Sequence, residues 1–265
     1  MKDLFNREIY YLRISITDKC NLRCTYCMPD GEVPRKKHSD FLSLEEITRI
    51  VQVAVSMGIR KVRLTGGEPL IKRGITDLIK MLNAIPGLEH LAMTSNGVLL
   101  SNMAAELKAA GLDSMNISLD TLDPEKYRSI TRVGNLKETL AGIETARKLE
   151  FPIKINSVVM DDTSDKEITA LAEFCRLNGF RHQLINHYSL SADKKDNYTF
   201  DRPPRCSACN RIRLLADGKM KPCLHSDQEI PVNMDNIAES IRTTILMKPE
   251  RGGICSNRSM IEIGG

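Results

Sequence analysis

From Tyr11 to Asn186 the chain alternates short β-rich apolar runs with longer stretches whose apolar residues recur at helical spacing. Tyr11-Leu-Arg-Ile-Ser-Ile16 predicts a first strand and Lys61-Val-Arg-Leu-Thr65 a second. His90-Leu-Ala-Met-Thr94 and Ser114-Met-Asn-Ile-Ser118 predict the next two, followed by Pro152 to Val159 and, more weakly, Gln183-Leu-Ile-Asn186. Ser43-Leu-Glu-Glu46 is a capping box opening a helix that stops near Gly58. A second helix follows Gly66-Gly67-Glu68-Pro69 and runs to about Asn83, and Ser101 is the expected cap of a third that ends at Gly111. Asp123-Pro124 places a cap before a proline at the first helical position. Asn135 to Leu149 reads as the main helix, and Ser164-Asp-Lys-Glu167 as a capping box leading to Gly179.

Six strands alternating with helices imply parallel βα units, an α/β fold with right-handed connections. Periodicity does not separate an open sheet from a barrel, but in both the site belongs at the carboxyl ends of the strands. Beyond Asn186 the pattern breaks. Residues 190–205 are polar, contain Pro203-Pro204 and read as a loop. Arg211 to Leu215 and Lys219 to Cys223 flank Asp217-Gly218, a hairpin signal. A helix is expected over Asp235 to Met247, and the end, Ile261 to Gly265, reads as too flexible to pack by itself.

At 265 residues, with 42% hydrophobic and 27% charged positions, the chain is neither a disordered polymer, a collagen nor a membrane bundle. A net charge of +4 is too small for bulk nucleic-acid binding but suits a site for an anionic small molecule. The absence of Trp, with 6 Phe and 6 Tyr, argues against base-stacking platforms. Met1 to Arg7 carries no apolar signal core, and no apolar run approaches the ~18 residues of a spanning helix, so a cytoplasmic location is expected. In that reducing compartment eight cysteines point to metal ligation rather than disulfides.

Cys20, Cys24 and Cys27 lie on the loop after the first strand. Thiolates so close select zinc or iron–sulfur. A structural zinc wants four ligands, and the nearest candidate, His38, is eleven residues on. Three cysteines on a four-iron cluster leave one iron open for a ligand. Cys206, Cys209 and Cys223 repeat that logic, although Cys-x2-Cys followed by a hairpin also describes a zinc ribbon that His225 or Cys255 could complete. Cys175 reads as core, and Cys255 as free or core. Arg13, Arg63 and Lys154 sit within strands, where cations need an anionic partner; a triphosphate would serve, as would an ion pair, and for Lys61 a solvated face is an equal reading.

The spacing Cys-x3-Cys-x2-Cys, with Tyr26 before the last cysteine, resembles the radical S-adenosylmethionine (radical SAM) enzymes. Leu12 to Cys20, Met28-Pro29, Val62 to Leu70, Met93 to Gly97 and Asn116 to Asp120 are similar to the GTP 3′,8-cyclase family, which opens molybdenum cofactor biosynthesis. The resemblance covers Arg7 to about Val159 and resumes from Cys206 to Gly265. It implies a partial (β/α)6 TIM-like barrel over residues 1–189 and a C-terminal cysteine-rich hairpin extension, with its cluster and Gly-Gly tail, over 190–265. It implies two [4Fe-4S] clusters, on Cys20, Cys24 and Cys27 and on Cys206, Cys209 and Cys223. S-adenosyl-L-methionine would bind the first open iron, with Tyr26, Gly67 and Ser118 as further contacts. Its cleavage would give the 5′-deoxyadenosyl radical that abstracts the ribose 3′ hydrogen of GTP, after which the carbon radical attacks guanine C8. Arg13, Arg63, Thr94, Lys154, Arg211 and Arg213 match GTP-contacting positions, and Arg213 counts among the catalytic residues with the first three cysteines. Gly264-Gly265 matches a tail that enters the active site.

The chain departs from the family before the second triad. Only seventeen residues separate Tyr188 from Cys206, where the family has a much longer stretch. On this alignment Gln183 stands for a phosphate-contacting Arg, Asn186 for a Glu and Tyr188 for a Met near S-adenosylmethionine. Lys194, Lys195 or Arg205 could replace the lost cation. Three readings follow: a GTP 3′,8-cyclase, a radical SAM enzyme of the same architecture acting on another substrate, and a zinc-stabilised binding protein. The expected partners are a small-molecule substrate, GTP first, and an external electron donor, with no nucleic acid and no membrane; a homodimer stays open.

Overall fold

The computed structural model describes residues 1–28, 36, 40–195, 197–200 and 202–264. The expectations that touch Pro29, His38 and Gly265 lie outside the described residues. Seven strands pair in parallel: β1 (Tyr11–Ser15), β2 (Lys61–Thr65), β3 (His90–Ser95), β4 (Ser114–Ser118), β5 (Ile153–Val159), β6 (Arg181–Asn186) and β7 (Arg211–Leu214). β8 (Lys219–Lys221) folds back antiparallel on β7, and the two-residue β9 (Ile230–Pro231) pairs with β8. The sheet runs β6-β5-β4-β3-β2-β1-β7-β8-β9, with β6 and β9 at its edges. The C-terminal region therefore continues the sheet through β7, which pairs with β1.

Helices α1 (Leu44–Ser56), α2 (Ile75–Asn83), α3 (Leu100–Ala109), α4 (Pro124–Thr131), α5 (Leu136–Lys148) and α6 (Asp165–Leu177) lie between the first six strands. Their apolar stripes meet one face of the sheet: Ile47, Ile50 and Val51 of α1 and Leu78 and Leu82 of α2 share a core with Leu12, Ile14, Val62 and Leu64. Strand residues alternate faces, so Tyr11 and Arg13 point the other way, into the interior. Both capping boxes form: Ser43 accepts from Glu46 N and Ser164 from Glu167 N. Asp123 and Asn135 cap α4 and α5 through their side chains. α7 (Ile237–Leu246) begins after Asn236, which accepts from Glu239 N.

Two expectations are corrected. Ser101 is not the cap of α3; the N-cap is Leu99, two residues earlier, the helix starts at Leu100, and no side chain caps it. The turn through Gly97, at φ 83°, does that work with its backbone, since Leu100 N donates to Gly97 O (3.1 Å). The C-terminal stretch also packs. It forms α8 (Met260–Ile263), whose Ile261 and Ile263 are buried, and Glu262 closes a capping box with Ser259. Arg258 holds the segment by pairing with Glu229 (2.7 Å), Asp217 (2.8 Å) and Glu262 (3.2 Å). A short segment needs such an anchor, because its own buried area is small.

Candidate functional site

Cys20, Cys24 and Cys27 line a cavity of about 190 Å3 over the carboxyl ends of the strands. The loop that carries them turns tightly, with Cys27 N and Met28 N both donating to Cys24 O (3.1 and 3.0 Å). It docks on the end of α4 through Arg23 N to Thr131 O and Thr25 N to Ile130 O. Tyr26, Gly67, Thr94 and Ser118 line the same cavity. Burial pushes the Cys24 thiol up to about 12, and Asp120 and Cys20 add to it. Cys27 is raised too, by burial and then by Cys24, Cys20 and Asp120. Clustered thiols with carboxylate neighbours become favourable when they ligate a cationic group, which deprotonates them.

The Gly-rich turn packs on this loop. Gly67 N donates to Thr17 O and Glu68 N to Lys19 O (both 2.8 Å). A Cβ on Gly67 would lie 2.0 Å from Lys19 O, so backbone packing alone requires glycine there. Glu68 is buried and accepts from Leu70 N, Ser95 Oγ and Asn96 N. Burial outweighs those bonds and lifts it to about 7. Asp120 is likewise lifted by burial to about 6, although Val158 N and the Tyr26 hydroxyl donate to it (2.8 Å each). Asn96 Nδ2 bridges Asn21 Oδ1 (2.8 Å) and Cys20 Sγ (3.8 Å). Sequence reasoning gave Glu68, Asn96 and Asp120 no role. Their signal was present, since each is a polar residue just past an apolar strand that ends inside the fold.

A second cavity, about 390 Å3, holds Cys206, Cys209 and Cys223 in its wall. Ten of its lining residues are Lys or Arg, and none of the described ones is Asp or Glu. Arg13, Arg63, Lys154, Arg211 and Arg213 all converge here, as does Lys61. Arg13 stands in register with Arg63 on β2 and with Arg213 on β7. Like charges directly opposite across strands are destabilising, so this row calls for an anion. Arg63 donates to the Tyr11 hydroxyl (2.7 Å) and to Met93 O (3.1 Å), and Arg213 donates to Gly264 O (3.0 Å). Burial resists ionisation of Tyr11, but Arg13, Arg63 and Arg211 prevail and bring it down to about 7. Burial, then Arg63 and Arg202, push Lys154 down to about 8.

Asn156, Ile185 and Tyr188 line both cavities, so the two share a wall. Thr94 belongs with the first triad rather than with the cations. The second triad sits in positive surroundings: burial opposes the Cys209 thiolate, yet Lys248 and Arg211 lower it to about 7. Cys206 Sγ accepts from Gly252 N (3.4 Å). His225 lines this cavity and is held down to about 4, first by burial and then by Lys194 and Arg213. Cys255 lines neither cavity, is buried and donates to Asn257 Oδ1, while Cys175 is in the core. Of the proposed replacement cations, Lys194 reaches the cavity lining and Lys195 and Arg205 do not; Arg202, which the sequence did not suggest, does.

The walls fit bound groups. Thr94 Oγ1, Asn156 Oδ1, Asn210 Oδ1 and Arg211 Nε are buried with no hydrogen-bond partner among the described residues. Such atoms cost about 1–3 kcal/mol each unless something satisfies them. Among the described residues no three His, Cys, Asp or Glu side chains converge to hold a single ion. The thiolates of a four-iron cluster go to different irons and need no such convergence.

A profile described as "Radical SAM superfamily" matches residues 14–175. A protein of Alkaliphilus oremlandii named "GTP 3',8-cyclase" is 38% identical over 320 aligned positions that span all of both chains. One of Heliobacterium modesticaldum with the same name is 40% identical over 281 positions, covering 87% of this chain and 85% of that one. An alignment of 320 positions leaves about 55 at which this 265-residue chain has no residue. Among solved structures, Streptococcus suis SuiB bound to precursor peptide SuiA superposes with TM-score 0.68 at 17% identity, over 90% of this chain and 67% of that one. The native anSMEcpe structure with bound AdoMet gives 0.65 at 15%, over 91% and 81%. These two bear on the fold alone, and they agree with the partial barrel expected from the sequence.

Proposed function

The chain belongs to the radical SAM superfamily and, within it, to the GTP 3′,8-cyclase family, and on that premise we propose that it converts GTP to (8S)-3′,8-cyclo-7,8-dihydroguanosine 5′-triphosphate. The observation that carries this reading is the shared wall at Asn156, Ile185 and Tyr188, which joins a thiol-lined cavity to one lined by ten cations. A cluster held by Cys20, Cys24 and Cys27 supplies, when bound, the electron that cleaves S-adenosylmethionine. The chain's own residues do the rest. Gly67 and Ser118 offer polar groups to the methionyl end, and Tyr26 is fixed by Asp120. Arg13, Arg63, Lys61, Lys154 and Arg211 hold the triphosphate by charge, and Arg213 sits beside both the tail and the second triad. Cys206, Cys209 and Cys223 would hold a second [4Fe-4S] cluster, whose open iron would offer a coordination site for the substrate. Thr94, at the thiol-lined end, packs against S-adenosylmethionine or the reacting ribose.

Membership at 38–40% identity disfavours a different substrate on the same architecture, and a zinc-stabilised binding protein does not account for it. Among the described residues no helix is long and apolar enough to cross a membrane. The test is anaerobic incubation of reconstituted protein with S-adenosylmethionine, dithionite and GTP, with product mass spectrometry. Absence of the cyclised triphosphate alongside intact S-adenosylmethionine cleavage rejects GTP.

Two further outcomes are expected. Cys209→Ala should remove one cluster's iron and all nucleotide turnover while sparing uncoupled S-adenosylmethionine cleavage, read by iron assay and 5′-deoxyadenosine release. GTP binding should weaken as pH rises above about 8, because Lys154, whose proton is held less tightly than at the ordinary value of 10.5, then becomes neutral. The slope is up to about tenfold per pH unit for one proton. The sign for stability is opposite: the protein without nucleotide gains stability from pH 8 toward 10.5, since the unfolded chain then binds the extra proton. A Lys154→Gln variant that keeps the same binding slope would assign the titration to another group.

A further inference from the structure

Resting on that reading, we infer that Arg202, delivered by the short segment between β6 and β7, is the phosphate-binding cation at the corner of the larger cavity where β6 presents the neutral Gln183. Gln183 stands in register with Asn156 of β5, two residues along from Lys154 on the same face. Arg202 Nε donates to Gln183 Oε1 (3.3 Å), and its charge is one of those that depress Lys154. All three residues line the cavity. A guanidinium thus occupies the corner, although β6 presents Gln183 there; the strand's own Arg181, in register with Lys154, is exposed and does not line the cavity.

The segment is built to hold it there. Asn186, at the end of β6, clasps it with both backbone and side chain: Asn186 N and Nδ2 donate to Arg202 O (2.9 and 2.5 Å), and Nδ2 also donates to Phe200 O (2.9 Å). Phe200 N returns a bond to Asn186 Oδ1 (3.3 Å). Pro203 and Pro204 follow and line the cavity, with φ locked by their rings. A pre-positioned Arg loses less freedom when it binds an anion, and its planar fork suits phosphate oxygens. Lys194 is engaged elsewhere: its ammonium donates to Lys195 O (3.3 Å), lies over Tyr198 and lowers His225. Adding Arg202 beside Lys154 and Arg63, with no described acid in the lining, is unfavourable until a polyanion lies between them.

The test is titration of the reconstituted holoenzyme, without reductant, with GTP, guanosine and inorganic tripolyphosphate. Arg202→Gln should weaken GTP and tripolyphosphate ten- to a hundredfold, the loss of one charge-assisted hydrogen bond, and leave guanosine and S-adenosylmethionine binding unchanged. Gln183→Arg in the Arg202→Gln background should recover at least about tenfold by returning a guanidinium to the same corner. Unchanged triphosphate affinity in Arg202→Gln overturns the assignment. An equal loss for guanosine and GTP also overturns it, because that marks a collapsed wall rather than a lost charge. Tripolyphosphate binding that depends on Arg202 in a protein that does not cyclise GTP would retain Arg202 as an anion ligand and reject the cyclase reading. A wild-type protein that binds neither GTP nor tripolyphosphate rejects both.

Discussion

Cys24→Ala is expected to abolish S-adenosylmethionine cleavage altogether and to remove one cluster's worth of iron and sulfide. The three thiols of the first loop share one buried cavity, and burial raises Cys24 to about 12. On the proposed reading each would depend on cluster ligation to exist as a thiolate there, so two remaining thiols would have less to gain from a cluster than three. The folded core should be untouched, because Cys24 is half-buried and is not one of the residues of the hydrophobic core. Thermal unfolding of the apo variant should therefore match that of the apo wild type. Normal cleavage with four irons lost would move the radical site to the second triad; normal cleavage with no iron lost would remove Cys24 from the ligands.

Gly67→Ala is expected to reduce activity by about ten- to a hundredfold, for a reason that is mostly steric. The added Cβ would sit 2.0 Å from Lys19 O and 2.5 Å from Lys19 C, both backbone atoms next to Cys20. The Glu68 N to Lys19 O bond beneath it would have to lengthen or break. Overpacking of this kind costs typically ~1–3 kcal/mol, and here the strain falls on the backbone that leads into Cys20. Iron content per chain should fall together with S-adenosylmethionine affinity. A variant that keeps its full iron content but loses S-adenosylmethionine binding would instead make Gly67 a ligand contact with little structural role. Thr94→Val provides a contrast: Thr94 Oγ1 is buried with no partner among the described residues, so its loss should cost binding at the site and not stability.

Where a side chain caps its own helix, the element was legible. Ser43, Asp123, Asn135 and Ser164 each start the helix that their spacing predicts, because the bond they make is only two or three residues away. Where the backbone caps, as at Gly97, the sequence showed only a serine nearby and Ser101 was misread. Strand existence was equally local: β2 and β4 run over the residues the alternation predicts. β9 was not seen, because two residues carry no period and form only against β8. The tail read as loose because the ion cluster around Arg258 joins residues far apart in the chain.

The chemistry divides in the same way. Two cysteine triads, the Gly-Gly-Glu-Pro turn and the alternating βα pattern are each made of neighbours in the chain, and they are legible in it together with the family they imply. What surrounds them was decided by tertiary structure. The row Arg213, Arg13, Arg63 exists because β7, more than a hundred and forty residues from β2, pairs with β1 in one register. The buried carboxylates Glu68 and Asp120 owe their raised pKa values to desolvation, which no local pattern reports. Arg202 reaches the Gln183 corner because Asn186 clasps the returning chain, a contact set by how a shortened segment closes on the edge of the sheet rather than by any motif within it. Local bonding can be read from neighbours in the sequence, whereas burial, register and charge convergence arise only when distant segments exclude water together.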